Sequence, residues 1–212
     1  MDVQESGKLE VKDMKAHLIK RGYNKAAADY LQHRDQFKNT KYLNQLASIL
    51  QPGSKILDIG CGAGKPIDEY LVKKGFAVTG IDISERQIEL AKKHVPQASF
   101  EVKNMSQLRS GEYHVDAVVS FYAIFHVPRE THATLFETIG SFLSKGGLLL
   151  VTMGSSEWEG SEENFHGVKM YWSHYGSEKN KKIVQHAGFE ILFDVLDTSG
   201  GEKHQIITAK KK

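Results

Sequence analysis

The sequence predicts an α/β fold in which a doubly wound sheet of seven strands, parallel apart from its end, carries helices on both faces. Three observations predict it. From Ser54 onward, short β-branched runs alternate with amphipathic stretches. A glycine cluster follows the first of those runs without a gap. The last two runs, FEILFDVLD and KHQIITAK, flank Thr198-Ser199-Gly200-Gly201, whose tolerance of positive φ suits a hairpin, so these two strands should be antiparallel.

Taken in order, residues 9 to 50 read as helices split near Gly22, and Pro52-Gly53 delivers the chain into the first strand. Strands are expected at about 54–59, 76–82, 98–103, 115–121 and 147–153, with helices between them at about 65–74, 84–94 and 129–144. In the second of these helices Ile88, Leu90, Ala91 and Val95 form one apolar face, Ser84 is a candidate N-cap with Gln87 as capping-box partner, and Pro96 ends it. A further helix is expected at about 177–187.

Lys and Arg number 28 against 26 Asp and Glu, a formal charge of +2, which lacks the basic excess expected of a chain that neutralises many phosphates; no nucleic-acid partner is expected. Cys61 is the single cysteine, so neither an intrachain disulfide nor a cysteine-based zinc site can form, which suits a reducing compartment. The first residues lack the basic-then-apolar layout of a signal peptide, and the longest apolar run, Leu148 to Met153, is far short of the roughly 18 residues that a membrane helix needs. A cytoplasmic location without membrane partners is expected. Oligomeric state is not legible.

The stretch ILDIGCGAG, residues 56–64, carries the chemistry. Glycines behind a strand let the chain turn tightly and let a ligand approach main-chain N–H groups. A phosphate-binding G-x-x-x-x-G-K-[ST] loop is ruled against by Ile59 at the first glycine position and Pro66 at the Ser/Thr position. The dinucleotide fingerprint G-x-G-x-x-G is ruled against by a third glycine that arrives one position early. What remains is Asp58-x-Gly60-x-Gly62-x-Gly64 at the end of a first strand, followed by Gly80-Ile81-Asp82-Ile83-Ser84 at the end of a second.

In these elements the sequence resembles the class I S-adenosylmethionine-dependent methyltransferases of small-molecule type, over about residues 20 to 210. The resemblance implies a Rossmann-like fold, with S-adenosylmethionine as cofactor. It implies that Gly60, Cys61 and Gly62 face the methionine portion, that Asp58 helps hold the amino group, and that Asp82 takes the ribose. After the third strand, Asn104 stands where the family usually has Asp, its amide oxygen still able to accept from the adenine amino group, while Met105 and Ile83 sandwich the ring. Phe121, at the end of the fourth strand, joins the cofactor side. The segment around Tyr30 and Arg34, which share a helix face at i, i+4, resembles the family's N-terminal helical lid. On this reading residues 1–212 form a single methyltransferase domain: a lid over 1–50, and a core over 51–212 with a substrate-site insertion at about 154–176.

Ligands of doubly wound sheets bind beyond the carboxyl ends of the strands, so the residues after the fourth and fifth strands matter for the methyl acceptor. SFYA, residues 120–123, lacks the prolines of base-amino methylation motifs, and Cys61 is placed wrongly for attack on a pyrimidine. Tyr122, Trp158, Tyr171, Trp172 and His174 are the expected acceptor wall, suited to a planar or cationic small molecule. The competing reading of these rings is a hairpin packing its own aromatics. His126 is the candidate general base, and His17, His33, His94, His114 and His204 read as ordinary solvated positions. No histidine pair has metal-ligand spacing, so no metal is expected. The expected activity is methyl transfer to N or O of a small molecule. The alternatives are a non-catalytic cofactor-binding partner or sensor and a nicotinamide-dependent oxidoreductase, the latter opposed by the glycine spacing.

Overall fold

The computed structural model describes residues 3–33, 39–199 and 201–212, and the side chains among them except those of 3–13, 28, 32 and 33. Helices α1 (Val3–His33) and α2 (Thr40–Ile49) precede β1 (Lys55–Ile59), α3 (Ile67–Lys73), β2 (Ala77–Asp82), α4 (Glu85–His94), β3 (Ser99–Val102) and β4 (Val115–Ser120). Then come α5 (His132–Gly140), β5 (Leu143–Gly154), β6 (Trp158–Phe165), β7 (Val168–His174), α6 (Ser177–His186), β8 (Phe189–Asp197) and β9 (His204–Lys211).

The main sheet has seven strands in the order β3-β2-β1-β4-β5-β9-β8, and β6 with β7 forms a separate two-stranded sheet. Strands β1 to β5 are mutually parallel, and β9 runs antiparallel to both of its neighbours. The doubly wound sheet with its antiparallel end is therefore as expected. Strand alternation sends Leu57 and Ile59 into one apolar layer with Phe136, Ile139 and Phe189, and Ile56 into the other with Leu43, Leu46 and Leu71. Since β2 and β3 lie on one side of β1 and β4 and β5 on the other, the strand order reverses between β1 and β4, and a crevice opens there at their carboxyl ends.

Helix α4 starts as expected at Ser84, whose Oγ accepts from Gln87 N at 3.1 Å. The reciprocal half of the capping box is absent: Ser84 N donates instead to Asp82 Oδ1 at 2.8 Å, and Gln87 is buried with both side-chain polar atoms unpartnered.

The expected helix break at Gly22 is overturned, because α1 runs unbroken from Val3 to His33. The glycine is there for packing. A Cβ on Gly22 would lie 2.8 Å from Met170 Cε, so its absence is what lets α1 lie close against β7. Lys15 Nζ donates to the Tyr171 hydroxyl at 2.5 Å near one end of this contact, and Asp29 pairs with His166 near the other. Lys15 and Asp29 are fourteen positions apart on the helix, about 21 Å at 1.5 Å per residue. Between the two, Asn24 docks α1 onto the start of α4: its Oδ1 accepts from Ser84 Oγ (2.6 Å) and Arg86 N (3.1 Å), and its Nδ2 donates to Glu85 at 3.0 Å. Lys20 pairs with the same Glu85, which these partners hold well below the ordinary carboxylate range, at about 2.

Gly22→Ala is expected to leave stability nearly unchanged, since about 1 kcal/mol of helix propensity offsets the displacement of a flexible Met terminus. Gly22→Val is expected to cost about 1–3 kcal/mol through overpacking against β7, measured as a lowered urea midpoint. Equal midpoints for the two variants would show that α1 and β7 are not in close contact.

Candidate functional site

The glycine loop is built on the end of β1 and secured from β2. Gly60 N and Cys61 N both donate to Ile81 O, at 2.8 and 3.0 Å, Gly62 N donates to Asp82 Oδ2 at 3.0 Å, and Gly64 N donates to Cys61 O at 3.2 Å. These N–H groups are thus spent within the protein rather than turned toward a ligand. That differs from the expected use of the loop and from phosphate-binding loops, whose amides face the anion. What the loop offers a ligand is bare Cα surface. Gly60 has φ +81°, and a Cβ on it would stand 2.2 Å from that of Ala123, where the chain leaves β4. The cradle exists because the side chain does not.

A cavity of about 330 Å³ opens along the ends of β1, β2 and β3, and its walls bring together Gly60, Asp82, Ile83, Asn104 and Met105. Asp82 is locked in place, one oxygen taking Gly62 N and the other Ser84 N, and burial raises its pKa to about 6 against the pull of these donors. Asn104 Oδ1 already accepts from Ser106 N at 3.0 Å, capping a 3₁₀ turn, and so has one lone pair left for a ligand. A narrow extension of about 40 Å³ runs past Cys61, Gly62, Phe121 and Tyr30 to Lys65 and Gln87. Arg34 lies outside the described residues.

Asp58 lines neither space. It is 2% exposed and sits beneath the loop facing Asp68, because alternation along β1 points it under the glycines rather than over them. The Cys61 thiol is buried and pushed up in pKa, chiefly by that burial and then by Asp68, Asp82 and Asp58, so it stays protonated and is no nucleophile.

A third space, about 530 Å³, lies on the far side of Tyr23 and His126 between the β6–β7 hairpin and the turn into β9. Tyr122, Trp158, Trp172 and His174 line it together with Tyr30, Phe125, Phe165 and His204. Tyr171 does not. Residues alternate across β7, so while Trp172 and His174 face the cavity, the Tyr171 hydroxyl is drawn away to Lys15 and Glu159. His204, expected to be an ordinary solvated residue, sits edge-on to Tyr122 at 4.9 Å and stacked on Phe125 at 5.9 Å. Tyr122 itself holds a left-handed backbone (φ +58°), rare for an aromatic residue, with its hydroxyl donating to Asn39 Oδ1 at 3.1 Å. The rival reading of the rings holds in part, since Trp158 and Trp172 pack on each other at 6.4 Å while lining the cavity.

His126 stands where the three spaces meet, 5% exposed, with its pKa lowered to about 4 by burial. Its Nδ1 lies 2.8 Å from Tyr171 O, which can only accept, so Nδ1 carries the proton and Nε2 is the acceptor. Nε2 in turn takes the Tyr23 hydroxyl at 2.7 Å. Both ring nitrogens are therefore engaged, which corrects the expectation of an imidazole facing the acceptor directly. Tyr23 lines all three spaces and is the residue that sequence reasoning missed. It lies seven residues, two helical turns, before Tyr30 and thus on the same face of α1, a spacing that pointed to it.

A family model described as a methyltransferase domain matches residues 56–147. A ubiquinone biosynthesis O-methyltransferase of Coxiella burnetii is 31% identical over 113 residues, 51% of this chain and 46% of that protein. The chain spans about half the length of the curated relatives it matches. Two solved structures share the fold: an S-adenosylmethionine-dependent methyltransferase from Methanosarcina mazei (TM-score 0.67, 24% identity, 78% of this chain and 96% of that one) and magnesium protoporphyrin IX methyltransferase from Synechocystis with bound S-adenosylhomocysteine (TM-score 0.67, 18% identity, 85% and 83%). Residues 56–147 are thus similar to a methyltransferase domain, and the chain has the fold of the class I methyltransferases. The methyl donor of this enzyme class is S-adenosylmethionine.

Beneath the glycine loop, Asp58 of β1 meets Asp68 of α3. Asp68 is fully buried, and burial first and the Asp58 carboxyl second push its pKa well above the ordinary carboxylate range. Burial beside a second carboxyl favours the protonated form of Asp68. The folded state then binds a proton that the unfolded chain releases at about pH 4, so this pair withdraws stability as pH rises above that value. Replacing Asp68 by Asn removes the term. The urea midpoint of Asp68→Asn, taken relative to the parent chain, is expected to climb between about pH 4 and 7. A flat or falling difference would mean that both carboxylates are ionised and separately stabilised.

Proposed function

We propose that this chain transfers a methyl group from S-adenosylmethionine to a nitrogen or oxygen of a small molecule seated between the β6–β7 hairpin and the end of β9. One observation carries the reading: the space along β1, β2 and β3 and the aromatic space beyond it share Tyr23 and His126 as common wall. A donor in the first and an acceptor in the second would meet at these two residues.

The residues present fit the donor. Gly60 leaves bare main chain where a Cβ would collide with Ala123, and Asp82 faces the cavity with its carboxylate already oriented by two backbone donors. Ile83 and Met105 supply apolar surface in the same wall, and Asn104 a hydrogen-bonding edge. When bound, the donor supplies an electrophilic methyl on sulfonium sulfur. The protein's part is alignment and exclusion of water, and α1 does both by lying across the mouth with Tyr23 and Tyr30 turned inward. Trp158, Phe165 and Trp172 form an aromatic acceptor seat, with Glu162 and Glu202 also in the cavity wall. That seat suits a planar small molecule, by stacking, and suits one of positive charge. The Coxiella and Synechocystis proteins are named for small-molecule methylation, which supports the same class here.

Incubation of the full chain with methyl-labelled S-adenosylmethionine and a metabolite extract, read by mass spectrometry, is expected to label a small molecule. Trp172→Ala is expected to lower that labelling by about 10-fold or more, the scale of one lost aromatic contact, while calorimetric affinity for S-adenosylhomocysteine is unchanged. Gly60→Ala is expected to lose both. Label appearing only in RNA or protein would refute a small-molecule acceptor.

A further inference from the structure

We propose that Tyr23 and His126 form a proton relay for an acceptor hydroxyl, in which Tyr23 Oη rather than the imidazole is the atom that meets the acceptor. The inference rests on the methyl-transfer reading and narrows it to oxygen.

The imidazole has no nitrogen to spare. Nδ1–H donates to the Tyr171 carbonyl and Nε2 accepts from the Tyr23 hydroxyl, while Phe125 and Trp172 pack around the ring at centroid distances of 5.2 and 5.5 Å. A phenolic oxygen that has given its only proton to a histidine presents lone pairs to its surroundings and behaves as an acceptor. Tyr23 lines both spaces, and its oxygen draws its basicity from Nε2 through the hydrogen bond to His126. Its ring is held by Tyr30 at 5.3 Å and Phe165 at 6.2 Å, both edge-on, so the direction of that oxygen is set by packing.

As the acceptor oxygen bonds to the methyl carbon, the carbon–sulfur bond breaks and its electron pair stays on sulfur. The acceptor O–H proton passes to Tyr23 Oη, and the proton that Tyr23 held passes to His126 Nε2. A positive charge leaves the site as the sulfonium becomes a thioether, and one appears at the imidazolium. The total positive charge is unchanged, so a buried ring that is neutral beforehand can accept the proton during the transfer and release it to water on product release. The Tyr171 carbonyl, already bonded to Nδ1–H, stabilises that cation. An acceptor with no proton to lose makes no use of the device.

The test uses the full chain with labelled donor and two probes, 2-naphthol, which keeps its proton at neutral pH, and pentafluorophenol, which has lost it. For Tyr23→Phe the expected result is a fall of about 100-fold in kcat with 2-naphthol, the scale of acid–base catalysis, with KM little changed and far less loss with pentafluorophenol. His126→Asn should share the pattern, and both variants should bind S-adenosylhomocysteine like the parent. Independently of turnover, nitrogen NMR of the labelled parent chain should show His126 as the neutral Nδ1–H form at neutral pH. An Nε2–H form, or equal loss with both probes, overturns the relay. Undiminished turnover of 2-naphthol by Tyr23→Phe overturns the relay and leaves methyl transfer standing. A parent chain that binds S-adenosylhomocysteine yet labels neither probe overturns the assignment to oxygen. Failure to bind S-adenosylhomocysteine at all would instead refute the donor site itself.

Discussion

Everything at the carboxyl edge of the sheet depends on how closely the main chain after β1 passes the main chain after β4. At Gly60 a missing side chain lets the two come together, with Ala123 in the place that a Cβ would need, while the φ of +81° turns the loop back over the strand. Ser120 Oγ donates to Ile59 O at 2.7 Å and joins the same two strands one residue earlier. Once these ends are held together, the reversal of strand order has to open on either side of them. The two openings are the space along β2 and β3 and the aromatic space under the hairpin.

The loop achieves this by using up its own polarity. Its amides go to Ile81 O, to Asp82 and to Cys61 O, and His94 Nδ1 reaches Ala63 O at 3.0 Å from the end of α4. An anion would find little to bind there. A neutral or cationic group would find bare Cα surface with Asp82 close by, so the loop favours the nucleoside with an attached amino acid over the pyrophosphate. The raised pKa of Asp68 acts in the same direction, since burial disfavours a further negative charge under the loop.

Helix α1 turns the open crevice into a chamber. It is fastened to the hairpin at Lys15 and Asp29 and to the start of α4 at Asn24, and between these fixings it lowers Tyr23 onto His126. The same strand that receives Met170 against Gly22 supplies the Tyr171 carbonyl that sets the tautomer of His126. Helix α1, the hairpin and the imidazole form one packed unit. A change that lifts α1 from β7 would alter the protonation of the site as well as its shape.

Local rules of the chain were enough to determine the alternation of strands and helices, the antiparallel end and the glycine turn behind the first strand. Each is written in short-range periodicity or spacing: apolar runs at period 2 or 3.6, glycines at every second position, an acidic residue at the end of the second strand. The strand end Gly80-Ile81-Asp82 was legible for that reason. Only the tertiary structure decided that Gly22 lies inside a helix, because the helix propensity it gives up is recovered in a contact with Met170, 148 residues away. It also decided that Asp58 lies under the loop, that Tyr171 faces away from the cavity and that His204 faces into it, since each depends on which side of a strand meets which neighbour. The pairing of Tyr23 with His126 is of the same kind: two residues 103 positions apart, each ordinary in its own segment, come together only where α1 and the sheet edge meet.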